Sequence, residues 1–323
     1  MSRCKDNSGW QVVKIKRQKN IFVILFNCCS NFLFIIHCFH IVLFYCLLLA
    51  IYFLAFFPAY GSLFEPYFLA YSAEEVIYMQ ALNVLSEGKE SAGNNAAGCA
   101  LENKKSVSFG FTYLNFKDNL SNIKLFLPKK FGNLGLSLRY ANFGETEFVS
   151  ENFDVKKEKL YSVILNTSLG KEMFIPGLFL GIDLNFGNIK LDETIQTFGT
   201  SFGARYIINF VSTELHLGSV FGSYFAKNED LFFYAFGIKY YLPEYKSFLS
   251  LAYNKNIYEF LTTTFEIDLT KNFLFIVGYE TMKGLTNYSV GGKFKIKNFE
   301  FVFSTKYNKY LYFTPSLTIS YCL

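Results

Sequence analysis

The sequence predicts an all-β fold, a transmembrane antiparallel β-barrel of about fourteen strands, and three observations point there. Aromatic residues make up 20% of the 323 residues, as 40 Phe, 23 Tyr and a single Trp. Charged residues reach only 18%, against about 25% in a soluble domain. From about residue 105 onward, apolar side chains recur at every second position through most of the chain. Disorder is excluded by the 51% hydrophobic content, because such a chain can bury enough apolar surface to fold. A net charge of +5 that gathers on no recognisable module speaks against a nucleic-acid partner.

Residues 1–73 form the first region, read as an export leader or hydrophobic anchor. They hold six basic residues (Arg3, Lys5, Lys14, Lys16, Arg17, Lys19) and two acids (Asp6, Glu65), whereas the other 250 residues carry 25 basic and 24 acidic side chains. From Ile21 to Phe57 no Asp, Glu, Lys or Arg occurs, and the basic stretch from Lys14 to Lys19 precedes the run. Positive charge ahead of an apolar run marks an export signal. The run is 37 residues long, longer than the roughly 7–15 of a cleaved signal core or the about 20 of one crossing. Three readings follow: a long signal cleaved near Ala59-Tyr60-Gly61 or Ala70-Tyr71-Ser72, an uncleaved anchor, or residues upstream of the true start. All agree on export across the inner membrane. Five of the seven cysteines (Cys4, Cys28, Cys29, Cys38, Cys46) lie here, leaving Cys99 and Cys322 apart. That spacing supports no disulfide framework and no metal knuckle.

The barrel region, residues 105–323, shows its period strand by strand. Leu134, Leu136, Leu138 and Tyr140 share one face, and Gly135, Ser137 and Arg139 the other. Leu180, Ile182, Leu184 and Phe186 oppose Gly181, Asp183 and Asn185, while Phe202, Ala204 and Tyr206 oppose Gly203 and Arg205. The same holds for Phe265, Ile267 and Leu269 against Glu266 and Asp268. Near the end, Val290, Phe294 and Ile296 oppose Gly291, Lys293, Lys295 and Lys297, and Leu317 and Ile319 oppose Ser316, Thr318 and Ser320. Successive side chains on a strand point to opposite faces, so each segment is apolar on one side and polar or glycine on the other. Segments of 9–12 residues suit an oblique crossing of the hydrocarbon, and the aromatic content exceeds what a small core absorbs, so the apolar face is assigned to lipid. Fourteen segments are counted, with a long loop or short extra hairpin over 144–158 and another longer connection over 187–197. Turn signals such as Ala226-Lys227-Asn228-Glu229-Asp230, Pro243-Glu244 and Thr270-Lys271-Asn272 separate them.

Residues 74–104, with little alternation, are read as a hatch or linker. They contain Asn95-Ala96-Ala97-Gly98-Cys99-Ala100, followed by the first strand at Val107-Ser108-Phe109-Gly110-Phe111. This arrangement, with Leu134 to Tyr140 and the closing Ser316-Leu317-Thr318-Ile319-Ser320-Tyr321, resembles the PorV/PorQ family and the wider FadL-like group of outer-membrane barrels. In that group an Asn-Pro-Ala-Gly-Leu-Ala motif precedes strand one. Here Ala96 stands for the Pro and Cys99 for the Leu. The resemblance implies that residues 74–104 fold into the lumen as a hatch, with Asn95, Ala96, Ala97 and Gly98 as its motif. It also implies an outer-membrane location, passage of a hydrophobic or amphiphilic small molecule, and contact with the barrel-assembly machinery. A barrel that binds protein partners in a secretion system is the alternative within the same resemblance. A membrane-anchored periplasmic β-domain is the alternative outside it.

Chemistry is sparse. After the leader the only histidine is His216, on the polar face with Glu214. A general base needs a nucleophile within reach, and no Gly-x-Ser-x-Gly elbow, phosphate loop or metal spacing occurs. No enzymatic activity and no cofactor are therefore expected. The polar-face residues Arg139, Asp183, Arg205, Glu214, His216, Glu266, Asp268, Lys293, Lys295 and Lys297 are the candidates to line the lumen. The three lysines are read either as compensated by acids within a plugged lumen or as a patch for an anionic head group.

Overall fold

A computed structural model describes residues 62–323 apart from 115–117, 150–154, 191–192, 228, 283–284 and 310–311. The leader readings on residues 1–61, including the Ala59-Tyr60-Gly61 site, lie outside the described residues.

Fourteen strands form the wall. They are β1 Ser106–Leu114, β2 Asp118–Leu127, β3 Asn133–Val149, β4 Val155–Glu172, β5 Leu178–Lys190, β6 Thr194–Asn209 and β7 Glu214–Phe225. The second half comprises β8 Asp230–Leu242, β9 Ser247–Lys255, β10 Glu259–Thr270, β11 Phe273–Met282, β12 Leu285–Ile296, β13 Phe299–Asn308 and β14 Tyr312–Cys322. Each strand pairs antiparallel with its neighbours in sequence. The ring closes between β1 and β14, where Ser106 faces Cys322 and Thr112 faces Ser316. Closure gives every strand two partners, which a sheet surrounded by hydrocarbon requires. Both termini of the ring lie at one end, here the terminal end; the opposite rim is the far end.

The period of two sorts the side chains in one consistent sense. Along β1 and β14, Ser106, Ser108, Thr112, Ser316, Thr318 and Ser320 are buried, whereas Phe109, Phe111, Leu317 and Ile319 are exposed. On β6 Phe202 is 60% exposed between the buried Ser201 and Gly203. The apolar face therefore points out of the ring and the polar face in.

Inside runs the segment 62–105. It starts with a 3-10 stretch, Ser62–Phe68, followed by α1 (Ala73–Tyr78), a turn at Met79–Ala81 and α2 (Leu82–Leu85). Two further 3-10 turns, Gly88–Ser91 and Ala96–Leu101, lead to β1. Ser72 caps α1 by accepting a hydrogen bond from the Glu75 amide at 3.2 Å. Gly93, at φ 77°, supplies the left-handed turn that reverses the chain before the last turn. The segment reaches every strand of the ring. Phe64 packs with Ile189, Leu231 and Tyr224 near the far end, and Glu65 accepts a hydrogen bond from the Tyr258 hydroxyl of the far-end β9–β10 turn. At the other extreme, Asn133 donates to the Glu102 carbonyl and the Leu323 amide to the Lys105 carbonyl. The chain thus threads the barrel from far end to terminal end.

Three boundaries differ from the sequence reading. The inner segment includes residues 62–73, which were grouped with the leader. Of the long loop or short extra hairpin read over 144–158, the described residues are hairpin, as an extension of one already counted: β3 and β4 stay paired to Val149 opposite Val155, beyond the ends of β2 and β5. Its polar sequence conceals a cross-strand charge ladder, with Glu145 opposite Lys159 and Glu147 opposite Lys157. The connection expected over 187–197 is likewise short, since Lys190 still pairs with Thr194.

An arginine at Ile319, on the outward face of β14, is expected to weaken insertion by about 2–4 kcal/mol if the site lies near mid-bilayer. Tyr245→Arg, in the exposed Pro243–Tyr245 turn, should leave it unchanged. Urea titration of folding into lipid vesicles, read by mobility on unheated gels, checks both.

Candidate functional site: the inner segment and its cavities

The wall is shaped to admit the segment's backbone. Gly170, Gly181 and Gly203 lie side by side on β4, β5 and β6. A Cβ at Gly170 would collide with the Ala96 carbonyl oxygen, one at Gly181 with the Ala96 carbonyl carbon, and one at Gly203 with the Asn95 side-chain oxygen. A second pair, Gly218 opposite Gly237 with Ala252 next to it, receives Val84 and Leu85 of α2. Asn95 itself caps the Ala96–Leu101 turn through the Ala97 amide and donates to the Val84 carbonyl at 2.7 Å. Gly98 leaves room for the Ser86 carbonyl. The Asn95-Ala96-Ala97-Gly98 motif is therefore the part of the segment pressed most closely to the wall, and it is built of small residues for that reason.

Charge fixes what shape admits. The segment brings Glu75, Glu87 and Glu90, and the wall answers with bases. Lys124 of β2 lies 3.0 Å from Glu75 and 2.8 Å from Glu90, and Arg139 of β3 donates to Glu75 at 3.0 Å. Arg205 of β6 donates to Glu87 at 2.5 Å and to the Leu85 and Ser86 carbonyls at 2.8 and 2.7 Å, closing the C-terminal end of α2. Lys239 of β8 joins Glu266 at 2.9 Å and approaches Glu87 at 3.8 Å. In the reverse sense, Lys89 of the segment meets Glu300 of β13 at 2.6 Å. Burial opposes ionisation of Glu75, yet Arg139 and Lys124 outweigh it and hold its carboxyl down at about 2. Glu87 is likewise held at about 2, against its burial, by Lys239 and Arg205. Glu74 is the exception. Burial, reinforced by Glu90, pushes its carboxyl up to about 7.

Among the candidates from the sequence, Arg139, Asp183, Arg205, His216 and Glu266 are buried inside the ring. Asp183 accepts from the Ser168 and Ser201 hydroxyls and from the Ala96 amide, so it binds the motif rather than a solute. Arginine can only donate, so the contact from Arg205 at 2.7 Å makes His216 Nδ1 an acceptor, and Nε2 donates to Glu214 at 3.2 Å. His216 is thus a neutral bridging residue with both nitrogens engaged. Glu214 stands half-exposed at the terminal rim. The lysine row is not one uniform stripe. Side-chain exposure rises from 19% at Lys293 to 59% at Lys295, both lying near Glu300 at 3.6 and 3.4 Å. Lys297 leaves the strand altogether and sits in the β12–β13 turn at φ 53°. Asp268 keeps the parity of Glu266 but is exposed at the rim, where its amide bonds the Lys246 carbonyl. Sequence reasoning missed Lys124, Lys239, Glu280 and Glu300, although each sits on the polar parity of its strand. It also missed the acids of 74–90 as their partners. The one available signal was that the hatch is acidic where the wall is basic.

Two cavities flank the segment. One, about 310 Å³, opens toward the terminal end between α1, α2 and strands β7–β12, with Glu74, Tyr78, Leu82, Lys239, Leu274 and Lys293 among its lining. The other is small, about 20 Å³, and lies toward the far end among Tyr67, Phe68, Asn83, Tyr224 and Asn254. Aromatic rings crowd there, with Tyr67 and Tyr224 centroids 4.0 Å apart and Tyr224 stacked on Phe233 at 5.0 Å. The single turn of α2 separates the two spaces.

No family model matches the chain, and no curated protein does. Solved structures do. The toluene transporter TodX of Pseudomonas putida superposes with a TM-score of 0.52 at 9% identity, covering 78% of this chain and 98% of that one. A deltaS2S3 mutant of TodX, described as a monoaromatic hydrocarbon channel, gives 0.54 at 9% identity over the same shares. The toluene transporter TbuX of Ralstonia pickettii gives 0.50 at 10% identity, covering 78% and 97%. At such identities the likeness is one of fold.

Replacing Gly181 with Val is expected to leave the ring assembled but dislodge the 96–101 turn, so that limited trypsin cuts near Lys89 in the variant and not in the parent. Glu75→Gln removes one side of a buried pair and should cost on the order of 3–5 kcal/mol. Glu74 behaves oppositely. Its folded carboxyl binds protons more tightly than the ordinary value of 4.5, so stability falls as pH rises from about 4.5 to 7. Glu74→Gln should abolish that fall in detergent melts at pH 5 and 8. The Glu75 contribution, complete above 4.5, should be lost progressively as pH falls from about 4.5 to about 2.

Proposed function

We propose that the chain is an outer-membrane channel that passes a hydrophobic or amphiphilic small molecule through its plugged barrel. The observation that carries this reading is the orientation of the ring. Large apolar side chains such as Phe202, Phe303 and Ile319 face outward around its whole circumference, which suits lipid and would be an aggregation hazard in water. An anchored periplasmic β-domain would turn that face inward. The inner segment closes the direct route while leaving a cavity on each side of α2, so a solute would pass only by shifting a short helical turn. The fold shared with toluene transporters supports a monoaromatic or similarly apolar cargo. In the same reading, the C-terminal strand engages the barrel-assembly machinery. The PorV/PorQ likeness rests on the Asn95–Gly98 motif, whose residues are committed to packing against β4–β6.

A second reading follows from the β3–β4 ribbon. It extends past its neighbours at the far end and presents Glu145, Glu147, Lys157 and Lys159 to solvent, a surface suited to holding a protein partner in a secretion system.

Expression in a porin-poor outer membrane separates the two. Uptake of labelled toluene should exceed the empty-vector rate several-fold, and trimming the ribbon from 144–158 to a two-residue turn should not change it. A folded, heat-modifiable barrel with no uptake above background would overturn the channel reading.

A further inference from the structure

Among the described residues, Glu74 is the side chain lining the terminal-end cavity whose polar atoms all lack a hydrogen-bond partner. Each base on its wall is already matched: Lys239 to Glu266 at 2.9 Å, Lys293 and Lys295 to Glu300 at 3.6 and 3.4 Å, and His216 to Arg205 and Glu214. Of the acids, Glu87 has Arg205 and Glu90 has Lys124. Glu74 lines the cavity with 0% exposure, and among the described residues neither of its carboxylate oxygens has a hydrogen-bond partner. One oxygen of Glu90 is also unpartnered. Buried carboxylates are ordinarily paired or hydrogen-bonded, and leaving one bare costs stability. Such a cost is commonly kept at sites where a ligand supplies the missing partner.

The chemistry of that partner can be read from what is missing. An anion would have to displace Glu300 or Glu266 from the lysines, whereas an ammonium at Glu74 displaces no hydrogen-bonded base, Lys293 and Lys89 acting on that carboxylate only at longer range. An ammonium offers three donors to the two free oxygens. The rest of the lining beside Glu74 includes Tyr78, Ala81, Leu82, Leu85 and Leu274, a wall for a short apolar body. We propose that this cavity is a binding site for a small primary amine with an apolar tail, its ammonium held by Glu74. This reverses the expectation that the lysine row attracts an anionic head group, and it stands whether or not the barrel conducts a solute.

The test is calorimetric titration of the purified full-length barrel in detergent at pH 8 with n-butylamine, n-butanol and butyrate as probes. Saturable binding of butylamine is expected, with the alcohol and the acid at least tenfold weaker. Glu74→Gln should weaken butylamine at least tenfold while the barrel keeps its heat-modifiable mobility. Leu82→Trp, which leaves the carboxylate in place and fills the cavity from α2, should do the same. Absence of saturable butylamine binding to the parent, butylamine affinity in Glu74→Gln within twofold of the parent, or tighter binding of butyrate than of butylamine would each overturn the proposal.

Discussion

The Glu75 carboxylate lies between Lys124 and Arg139, and neither the acid nor either base is open to water. The rest of the interior depends on that kind of match. A ring with its apolar face outward turns serines, asparagines, lysines and arginines toward its own axis, and groups removed from water must find partners. A lumen full of solvent would provide them. Here a folded acidic segment does much of it, spanning the lumen so that bases from β2, β3, β6 and β8 and the acid of β13 are met by residues of one short stretch. Arg205 also holds the carbonyls that end α2, so one guanidinium fixes both the charge balance and the local geometry.

Shape and charge are divided between different parts of the wall. Under the Ala96–Leu101 turn, β4–β6 offer glycines and let the backbone come close. Where the segment carries acids, the wall offers long cationic side chains that reach across a wider gap. Between these regions the fit is looser, and there the cavities lie. The larger cavity occurs on the side where α1 and α2 face β7–β12, away from the glycines of β4–β6 under the Ala96–Leu101 turn.

Much of this was legible in the residues. Alternation such as Leu134 to Tyr140 specifies both strand and facing, because a slip of one position would bring Arg139 into the outward band. Six segments were read residue by residue in that way, and a count of about fourteen segments agrees with the fourteen strands of the ring. The alternation could not reveal that β3 and β4 continue as a ribbon, since Glu145 and Glu147 put acids on one face and the lysines opposite them, Lys157 and Lys159, belong to the next strand. Nor could it tell Lys297 from Lys295. The two share parity, but the left-handed backbone at Lys297 turns the chain before its side chain can join the row. The inner segment was the least readable part. Short 3-10 turns have no period to detect, and residues 62–73 look like the tail of an apolar leader. What identifies them as part of the barrel is Phe64, Tyr67 and Tyr71 buried inside the ring. The resemblance carried by the Asn95–Gly98 motif implied a hatch but not which wall residues would hold it, because those contacts join positions far apart in the chain.

That the segment enters at the far rim and leaves at the terminal rim bears on the order in which the molecule can be made. The seam between β1 and β14 joins the two most distant strands of the ring, so its closure carries the largest loop entropy and belongs late in assembly. A strand of chain lying along the axis by then has the wall wrapped round it as round a mandrel. Once the seam is sealed, the same piece can be withdrawn only lengthwise. The inner segment is therefore a laced component, which the closed ring holds against any sideways escape.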